Sequence, residues 1–411
     1  MLLHGNAVVG QSGGPTAAIN ATLSGVIKGA LEAKEQGIIG TLYGMRNGIE
    51  GFLKEDLVDL FDVFSNPDDL KTLEATPAAA LGSCRRKLKS HEEDFDTYQR
   101  ILKILKKHDI RYFFYIGGND SMDTVLKLSR YAASHDYELR VVGVPKTIDN
   151  DLMATDHTPG FGSAAKFVAT TVKEIIRDIN VYTMDAVTIV EIMGRDAGWL
   201  TASAALASLS GEGPDLVYLP ERIFDEQSFV DDVKARLKDH PAILVAVSEG
   251  VRFANGEYVV AGTQSGAVDV FGHKYLAGTG KVLESIIKNR IGCKVRSVEL
   301  SLTQRCASHI SSLTDITESV MVGKGAVKAA TEGRTGVMMT IERLEGAEYS
   351  VRIGLADISC IANAIKTVPG EYINEEGNGI TEDGVNYLGP LIEGELDLEY
   401  ENGLPKHFVI K

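Results

Sequence analysis

The sequence has few cysteines, and their spacing fits neither a disulfide framework nor a zinc site. The four cysteines, at positions 84, 293, 306 and 360, are widely separated and form no CxxC pair. The nine histidines include no HExxH motif, so we expect no zinc centre. These observations favour a reduced, intracellular protein whose thiols serve as small core side chains.

Long apolar runs and excess positive charge are also absent. No apolar segment approaches the roughly 20 residues that a membrane helix requires. The N-terminal MLLHGNAVVG lacks the features of a signal peptide. The formal net charge is −15, a field that repels nucleic acid and anionic membranes, so we expect neither as a partner. We predict a cytoplasmic protein that binds any anionic ligand in a locally basic pocket.

Short apolar segments alternate with amphipathic ones along most of the 411 residues. Strands are predicted at 6–10, 37–44, 112–118, 139–144, 185–193, 215–220 and 242–250. Helices are predicted from the end of the first glycine-rich loop to about Lys34, and at 121–134, 228–240 and 274–292. Strands that alternate with helices indicate βαβ units on parallel sheets.

The pattern restarts after residues 152–165, which predicts two domains. We expect two Rossmann-like, three-layer α/β/α domains with mainly parallel sheets and a site in the cleft between them. Asn-Gly within the segment 251–260 predicts a hairpin. Ligands of such sheets bind beyond the carboxyl ends of the strands, which is where four glycine-rich or acidic loops fall.

The first of these loops is GQSGGPT (10–16). Gly13 and Gly14 would let the backbone approach an anion, and a helix after Pro15 would supply free N–H groups. An ordinary strand–helix turn explains the glycines equally well. The loop matches neither GxGxxG nor GxxxxGK[ST], which argues against a nicotinamide dehydrogenase and a Walker-type ATPase.

The second loop, IGGNDS (116–121), carries polar oxygens on a glycine turn. Asn119 and Asp120 beside a phosphate-binding loop would suit Mg²⁺, which prefers a few carboxylates together with phosphate and water oxygens. The competing interpretation is that Asn119, Asp120 or Ser121 caps the following helix.

The third loop, PKTIDND (145–151), places two aspartates around an asparagine. Asp149 or Asp151 near a hydroxyl could accept its proton while a phosphoryl group is transferred. Lys146 could offset charge on that phosphate. An Asx turn at the surface is the alternative.

The fourth loop, EIMGRDAG (191–198), joins a flexible backbone to a cation. Gly194 opens the chain, and the guanidinium of Arg195 matches phosphate oxygens. A salt bridge from Arg195 that merely fixes the loop is the competing interpretation.

Taken together, in this order and spacing, the loops resemble those of the phosphofructokinases, which phosphorylate fructose 6-phosphate at its 1-hydroxyl. The resemblance runs from Gly10 to Arg305, and TIDND followed by MGR is its most specific part. It implies that Asp149 is the catalytic base, assisted by Lys146. Thr147 and Asp151 would flank the reacting phosphoryl group and its metal.

The resemblance also assigns binding roles, and Mg²⁺ as cofactor. The implied donor-binding residues are Gly13, Gly14, Arg85, Gly118, Asp120, Ser121 and Lys146. The implied sugar-phosphate residues are Thr147, Asp149, Met193, Gly194, Arg195, Glu249, Arg296 and Arg305. The metal would be held near Asn119 and Asp120. Arg86 and Lys87 add positive charge next to Arg85.

Asp120 and Lys146 decide the expected donor. Members that use ATP have glycine at both positions, whereas members that use pyrophosphate have Asp and Lys. A carboxylate at 120 would obstruct the α-phosphate of ATP, and a lysine at 146 would suit the compact charge of pyrophosphate. We therefore predict transfer from pyrophosphate to fructose 6-phosphate. The alternatives are an ATP-dependent phosphofructokinase and a non-catalytic regulatory subunit of the same fold.

Three positions depart from the family pattern. Asn119 replaces a metal-binding aspartate, Leu302 a His or Tyr, and Ala186 an arginine lent across a subunit interface. The family implies a homodimer or homotetramer. The expected donor domain is 1–155 with part of 305–360, and the expected sugar domain is 156–304 with 361–411.

Overall fold

The computed structural model describes residues 3–181, 183–260, 278–346, 348–362 and 364–410. The strands are β1 (Gly5–Gln11), β2 (Ile39–Met45), β3 (Leu57–Asp59), β4 (Ile110–Gly117), β5 (Arg140–Pro145), β6 (Ala186–Ile192), β7 (Leu216–Tyr218), β8 (Ala242–Ser248), β9 (Lys294–Glu299), β10 (Val337–Arg343), β11 (Val351–Asp357), β12 (Tyr400–Glu401) and β13 (Leu404–Pro405).

Helices lie between most of these strands. They are α1 (Ile19–Glu35), α2 (Gly48–Lys54), α3 (Leu60–Val63), α4 (Pro67–Glu74), α5 (Phe95–Lys107), α6 (Asn119–Ser134), α7 (Phe161–Ile179), α8 (Trp199–Ala202), α9 (Glu226–Asp239), α10 (Thr279–Arg290), α11 (Thr303–Cys306), α12 (Leu313–Thr331) and α13 (Glu382–Leu388). Short 3₁₀ helices occupy Ser203–Ser210, Ser308–Ile310, Ile358–Cys360, Gly370–Tyr372 and Gly389–Ile392.

The larger sheet has seven strands in the order β11-β10-β5-β4-β1-β2-β3. Its inner strands are parallel, and antiparallel β3 and β11 form the two edges. Phe113, Phe114, Val141 and Val142 are fully buried neighbours in the centre of the sheet. Such continuous apolar runs are typical of parallel strands that are covered on both faces.

The smaller sheet has four parallel strands in the order β7-β8-β6-β9. Every residue of β8 is buried. Together the two sheets confirm the predicted α/β class with mainly parallel strands. The division of the chain into domains at the expected boundaries stays a prediction.

Helix α12 brings a distant part of the chain against α1. A Cβ atom on Gly25 would lie 2.2 Å from the carbonyl oxygen of Val320, and one on Gly323 would lie 2.3 Å from that of Thr22. The two backbones therefore touch, and a larger side chain at either glycine would force the helices apart. This packing holds residues from the later half of the chain beside the loop that follows β1.

The structure gives the bounds of several locally predicted elements. The helix predicted after Pro15 begins at Ile19. The hairpin predicted at Asn-Gly is present as a short one: Arg252 and Tyr258 form an antiparallel bridge, and the N–H of Phe253 donates to the carbonyl oxygen of Glu257 at 2.9 Å. The helix expected at 274–292 spans Thr279–Arg290, and its first four expected positions lie outside the described residues.

The cysteine prediction is only partly right. All four thiols are free, but only Cys84 is buried, while Cys306 and Cys360 are exposed. Cys306 lies on a short surface helix and Cys360 on a 3₁₀ turn, so neither thiol packs in the hydrophobic core. Within the described ranges, no helix has both the length and the apolar composition needed to cross a bilayer.

Candidate active site

A cavity of about 490 Å³ lies between the two sheets, where the carboxyl ends of β1, β4, β5, β6 and β8 meet. It brings together most of the predicted site residues. They are Gly13, Gly14, Arg85, Gly118, Asn119, Asp120, Ser121, Lys146, Thr147, Asp149, Asp151, Met193, Arg195, Glu249 and Arg305. The four loops thus form one site, as parallel strands require of loops at the same edge.

The glycine-rich loop after β1 is shaped by backbone geometry. Gly13 has φ of 78°, a left-handed conformation that glycine adopts without strain. The carbonyl oxygen of Gly14 accepts a hydrogen bond of 2.6 Å from Nζ of Lys146. Because α1 starts beyond this loop, the loop's own backbone, rather than the first turn of the helix, faces the cavity.

Three cations converge beside this loop. Lys146 is only 3% exposed, and a Cβ on Gly14 would lie 3.3 Å from Nη1 of Arg305. Burial lowers the pKa of Lys146 to about 8, with Arg305 and Arg85 adding to the effect and Asp149 opposing it. Burial and the charge of Arg85 also lower the pKa of Arg305. Mutually repelling cations in a cavity favour a bound polyanion.

Two carboxylates face these cations from the loop after β5. Burial raises the pKa of Asp149, and the ammonium of Lys146 opposes that rise. Burial and the charge of Asp149 raise the pKa of Asp151 to about 7. Thr147 Oγ1 donates to Asp149 Oδ2 at 3.4 Å. A desolvated, oriented carboxylate is suited to accept a proton from a bound hydroxyl.

The IGGNDS loop opens helix α6 without a side-chain cap. Gly118 occupies the N-cap position, so none of Asn119, Asp120 and Ser121 is the N-cap residue and the capping interpretation is wrong. Asn119 Nδ2 donates to the carbonyl oxygen of Ala364 at 2.6 Å. Asp120 pairs with Nζ of Lys87 at 3.1 Å. An ion pair therefore stands in the wall of the cavity at the position predicted to select the donor.

The opposite wall comes from the smaller sheet. Gly194 has φ of 142°, and its N–H donates to Oε1 of Glu249 at 3.3 Å. Burial raises the pKa of Glu249 to about 7. The guanidinium of Arg195 lowers the pKa of both Glu249 and Asp149, so its charge acts on both walls. This bridging position goes beyond a local loop-fixing salt bridge.

Some predicted residues lie elsewhere, and some lining residues were not predicted. Arg296 lies on edge strand β9, with its side chain exposed and outside the cavity. Leu302 is 57% exposed. Asp196 and Ile365 line the cavity although neither was predicted from the sequence. The GRDAG loop offered a signal for Asp196, whereas nothing in the local sequence distinguishes Ile365.

The carboxylates can be tested for their fit to a metal. Among the described residues no three His, Cys, Asp or Glu side chains form a ready cluster. Mg²⁺-type sites need only one or two carboxylates, because phosphate and water oxygens complete the shell. Asn119, Asp120 and Asp151 all line the cavity, and Asp151 is buried with a raised pKa, so a nearby cation would offset its desolvation. These oxygen ligands fit a divalent ion that arrives with a phosphate ligand.

The buried Glu249 predicts a pH-dependent stability. Its pKa is raised from 4.5 to about 7, so the folded state binds the proton more tightly and loses stability as pH rises through this range. We expect Glu249→Gln to raise the free energy of unfolding at pH 8 by up to about 3 kcal/mol, with no gain at pH 4. Urea unfolding at both pH values measures this.

The control variant Glu284→Gln is expected to change the free energy of unfolding in the opposite direction. Hydrogen bonds from Lys288 and Lys281 lower the pKa of Glu284 to about 2, so Glu284→Gln should reduce stability at pH 8. A Glu249→Gln protein that is no more stable than the wild type at pH 8 would contradict the assignment.

The chain is similar to known proteins over most of its length. The phosphofructokinase family model matches residues 6–330. The pyrophosphate–fructose 6-phosphate 1-phosphotransferase of Methylococcus capsulatus is 42% identical over 408 residues, covering 98% of this chain and 96% of that protein. The enzyme of the same name from Xanthomonas campestris pv. campestris is 42% identical over 417 residues, covering 100% of this chain and 97% of that protein.

A solved structure is similar over the same length. The pyrophosphate-dependent phosphofructokinase from Nitrosospira multiformis is 39% identical, with a TM-score of 0.88, covering 98% of this chain and 96% of that one. The chain belongs to the phosphofructokinase family, whose phosphotransferases require a divalent metal.

Proposed function

We propose that this protein transfers a phosphoryl group from pyrophosphate to the 1-hydroxyl of D-fructose 6-phosphate, giving fructose 1,6-bisphosphate and phosphate in a reversible reaction. The observation that carries the proposal is the full-length similarity to enzymes named for this reaction. The wall of the cavity supports the choice of donor, because Lys146 and the Asp120–Lys87 pair occupy it.

The donor would bind against the glycine-rich loop and the three cations. Gly13 and Gly14 admit phosphate oxygens close to the backbone, while Lys146, Arg85 and Arg305 supply the opposing charge. These cations stabilise the charge that builds up on the bridging oxygen as the leaving phosphate departs. A small donor offers no nucleoside contacts, so its affinity must come from such charges.

Asp149 would act as the general base. It takes the proton of the 1-hydroxyl as the hydroxyl oxygen bonds to the transferred phosphorus and the bond from phosphorus to the bridging oxygen breaks. Thr147 orients the carboxylate through the hydrogen bond described above. Glu249 would accept sugar hydroxyls, and Arg195 would bind the sugar phosphate beside Met193.

The proposed metal is Mg²⁺, held by oxygens of Asp120, Asp151 and Asn119 together with the donor phosphates. When bound, it would neutralise phosphate charge and orient the donor. The amide nitrogen of Asn119 is engaged by Ala364, and the ligand atom of an amide is its oxygen.

We also propose a cytoplasmic homodimer or homotetramer. Free thiols support a reducing compartment. Arg296 is exposed outside this chain's own cavity, so any contact with the sugar 6-phosphate belongs to an assembly of subunits.

A donor comparison tests the proposal directly. With Mg²⁺ and fructose 6-phosphate we expect kcat/KM for pyrophosphate to exceed that for ATP by at least about 100-fold, a difference of roughly 2.7 kcal/mol in transition-state binding. Coupled assays of fructose 1,6-bisphosphate formation with each donor measure this. EDTA should abolish turnover, and added Mg²⁺ should restore it. A preference for ATP would refute the proposed donor.

A further inference from the structure

A segment near the C-terminus, residues 364–368, contacts two of the four loops that form the site directly and a third through Glu221. We call it the C-terminal strap. Ile365 lines the cavity itself. The strap belongs to none of the sheets, and its hydrogen-bonding partners Asn119 and Asn150 on the donor side lie 245 and 216 residues away along the chain. Its contacts can be followed from one wall of the cavity to the other.

On the donor side the strap bonds to two loops. The carbonyl oxygen of Ala364 accepts the side-chain N–H of Asn119 at 2.6 Å. The backbone N–H of Lys366 donates to the carbonyl oxygen of Asp151 at 2.8 Å. Both contacts fix loop positions, because a buried amide or carbonyl without its partner costs about 1–3 kcal/mol.

The side chain of Lys366 makes further hydrogen bonds to the loop after β5. Its ammonium donates to Asn150 Oδ1 at 3.2 Å and to the carbonyl oxygens of Thr155 at 3.0 Å and Asp156 at 2.9 Å. An ammonium has three donors, and all three are used. Asn150 is fully buried with φ of 54°, an uncommon left-handed conformation that such a contact stabilises.

On the sugar side the strap contacts Trp199, at the start of the helix after the EIMGRDAG loop, and is joined to that loop through Glu221. The carbonyl oxygen of Lys366 accepts the indole N–H of Trp199 at 3.0 Å. Oε1 of Glu221 accepts the N–H of Val368 at 2.9 Å and that of Gly198 at 2.8 Å. One carboxylate oxygen thereby ties the strap to the loop that carries Arg195.

We propose that the C-terminal strap sets the spacing between the two walls of the active site, and that Lys366 is its positioning residue. The inference rests on the proposed function for the roles of the loops. Asn150 lies between the two carboxylates, so its backbone direction decides where they point. Lys366 also touches Trp199, which begins the helix after the sugar-side loop.

The role of Lys366 is local, because its ammonium binds three acceptors of a single loop. Removing the ammonium would leave Asn150 Oδ1 and the carbonyl oxygens of Thr155 and Asp156 without this donor, which is destabilising for buried groups. We therefore expect Lys366 to stabilise the loop in the geometry that places Asp149 and Asp151, so a loss of kcat has to be read beside a measurement of folding.

The test compares Lys366→Met with a matched control. Lys166 also donates from a lysine to a C-terminal carbonyl, that of Gly394 at 2.5 Å, but lies outside the cavity. We expect Lys366→Met to lower kcat by about 10- to 100-fold through misplaced groups, with the KM of pyrophosphate changed less than threefold. Lys166→Met should keep its kcat. Because Trp199 is the sole tryptophan and lies 5.2 Å from Nζ of Lys366, its emission should change in Lys366→Met alone.

If Lys366→Met fails to fold, a second pair of variants at Glu221 tests the same proposal. Glu221→Ala removes the joint to the sugar-side loop, and Glu221→Gln keeps the accepting oxygen. The strap predicts a lower kcat in the first and recovery in the second. A wild-type kcat in Lys366→Met, or in Glu221→Ala, would refute the proposed role of the C-terminal strap. A wild-type enzyme that prefers ATP contradicts only the proposed donor, because the same kcat ratios are then measured with ATP.

Discussion

Replacing Asp149 with asparagine is expected to lower kcat by about 10³-fold. Asparagine keeps the shape of the side chain but cannot take up the proton of the 1-hydroxyl. The Kd of pyrophosphate should change little, since the cations Lys146 and Arg85 remain. Initial rates at saturating substrates, with calorimetric binding of pyrophosphate, measure the two effects separately.

Asp123 provides the matched control. It is 5% exposed and pairs with Lys127 at 2.6 Å, away from the cavity. Asp123→Asn therefore removes a buried carboxylate without touching the site, and it should reduce stability while keeping kcat within about threefold. If Asp149→Asn retains more than a tenth of wild-type kcat, Asp149 is not the base.

The second large effect is expected from the double substitution Asp120→Gly with Lys146→Gly. It removes the cation that faces the donor and the carboxylate that pairs with Lys87. We expect kcat/KM for pyrophosphate to fall by about 10²- to 10³-fold, and turnover with ATP to increase because the donor wall gains space. Steady-state kinetics with both donors measure the change.

The control for this variant is Asp123→Ala with Lys127→Ala, which removes an Asp–Lys pair from the same helix outside the cavity. Its ratio of pyrophosphate to ATP use should match the wild type. An unchanged donor ratio in the glycine double variant would remove the steric and electrostatic basis for donor choice.

The parallel core of the fold was predictable from sequence because its strands are buried on both faces. β4 and β8 appear as short apolar runs bounded by turn residues, and both lie within two residues of their predicted ends. β10 and α12 were not predicted individually. Their places depend on pairing with β5 and packing against α1, and local periodicity carries no information about such distant partners.

The site was predictable where residue types mark a loop, and not where the partner is remote. Asp149 and Arg195 stand in distinctive motifs, and the topology brings them together. Lys366 is a single lysine in the segment AIKTVP (364–369), and its partner Asn150 is 216 residues away. Arg296 matched a pattern but lies on edge strand β9, none of whose residues lines the cavity.

The route of the chain through the seven-stranded sheet constrains how the protein is made. Strands β6 to β9 lie in one continuous stretch, 186–299, whereas the larger sheet combines 5–145 with 337–357. During synthesis the smaller sheet has all its strands before the larger one can close. The inner strand β5 keeps an open edge until β10 leaves the ribosome, and an unpaired edge is prone to aggregation. The larger sheet, whose first strands are synthesised before any strand of the smaller sheet, is therefore the last to be completed.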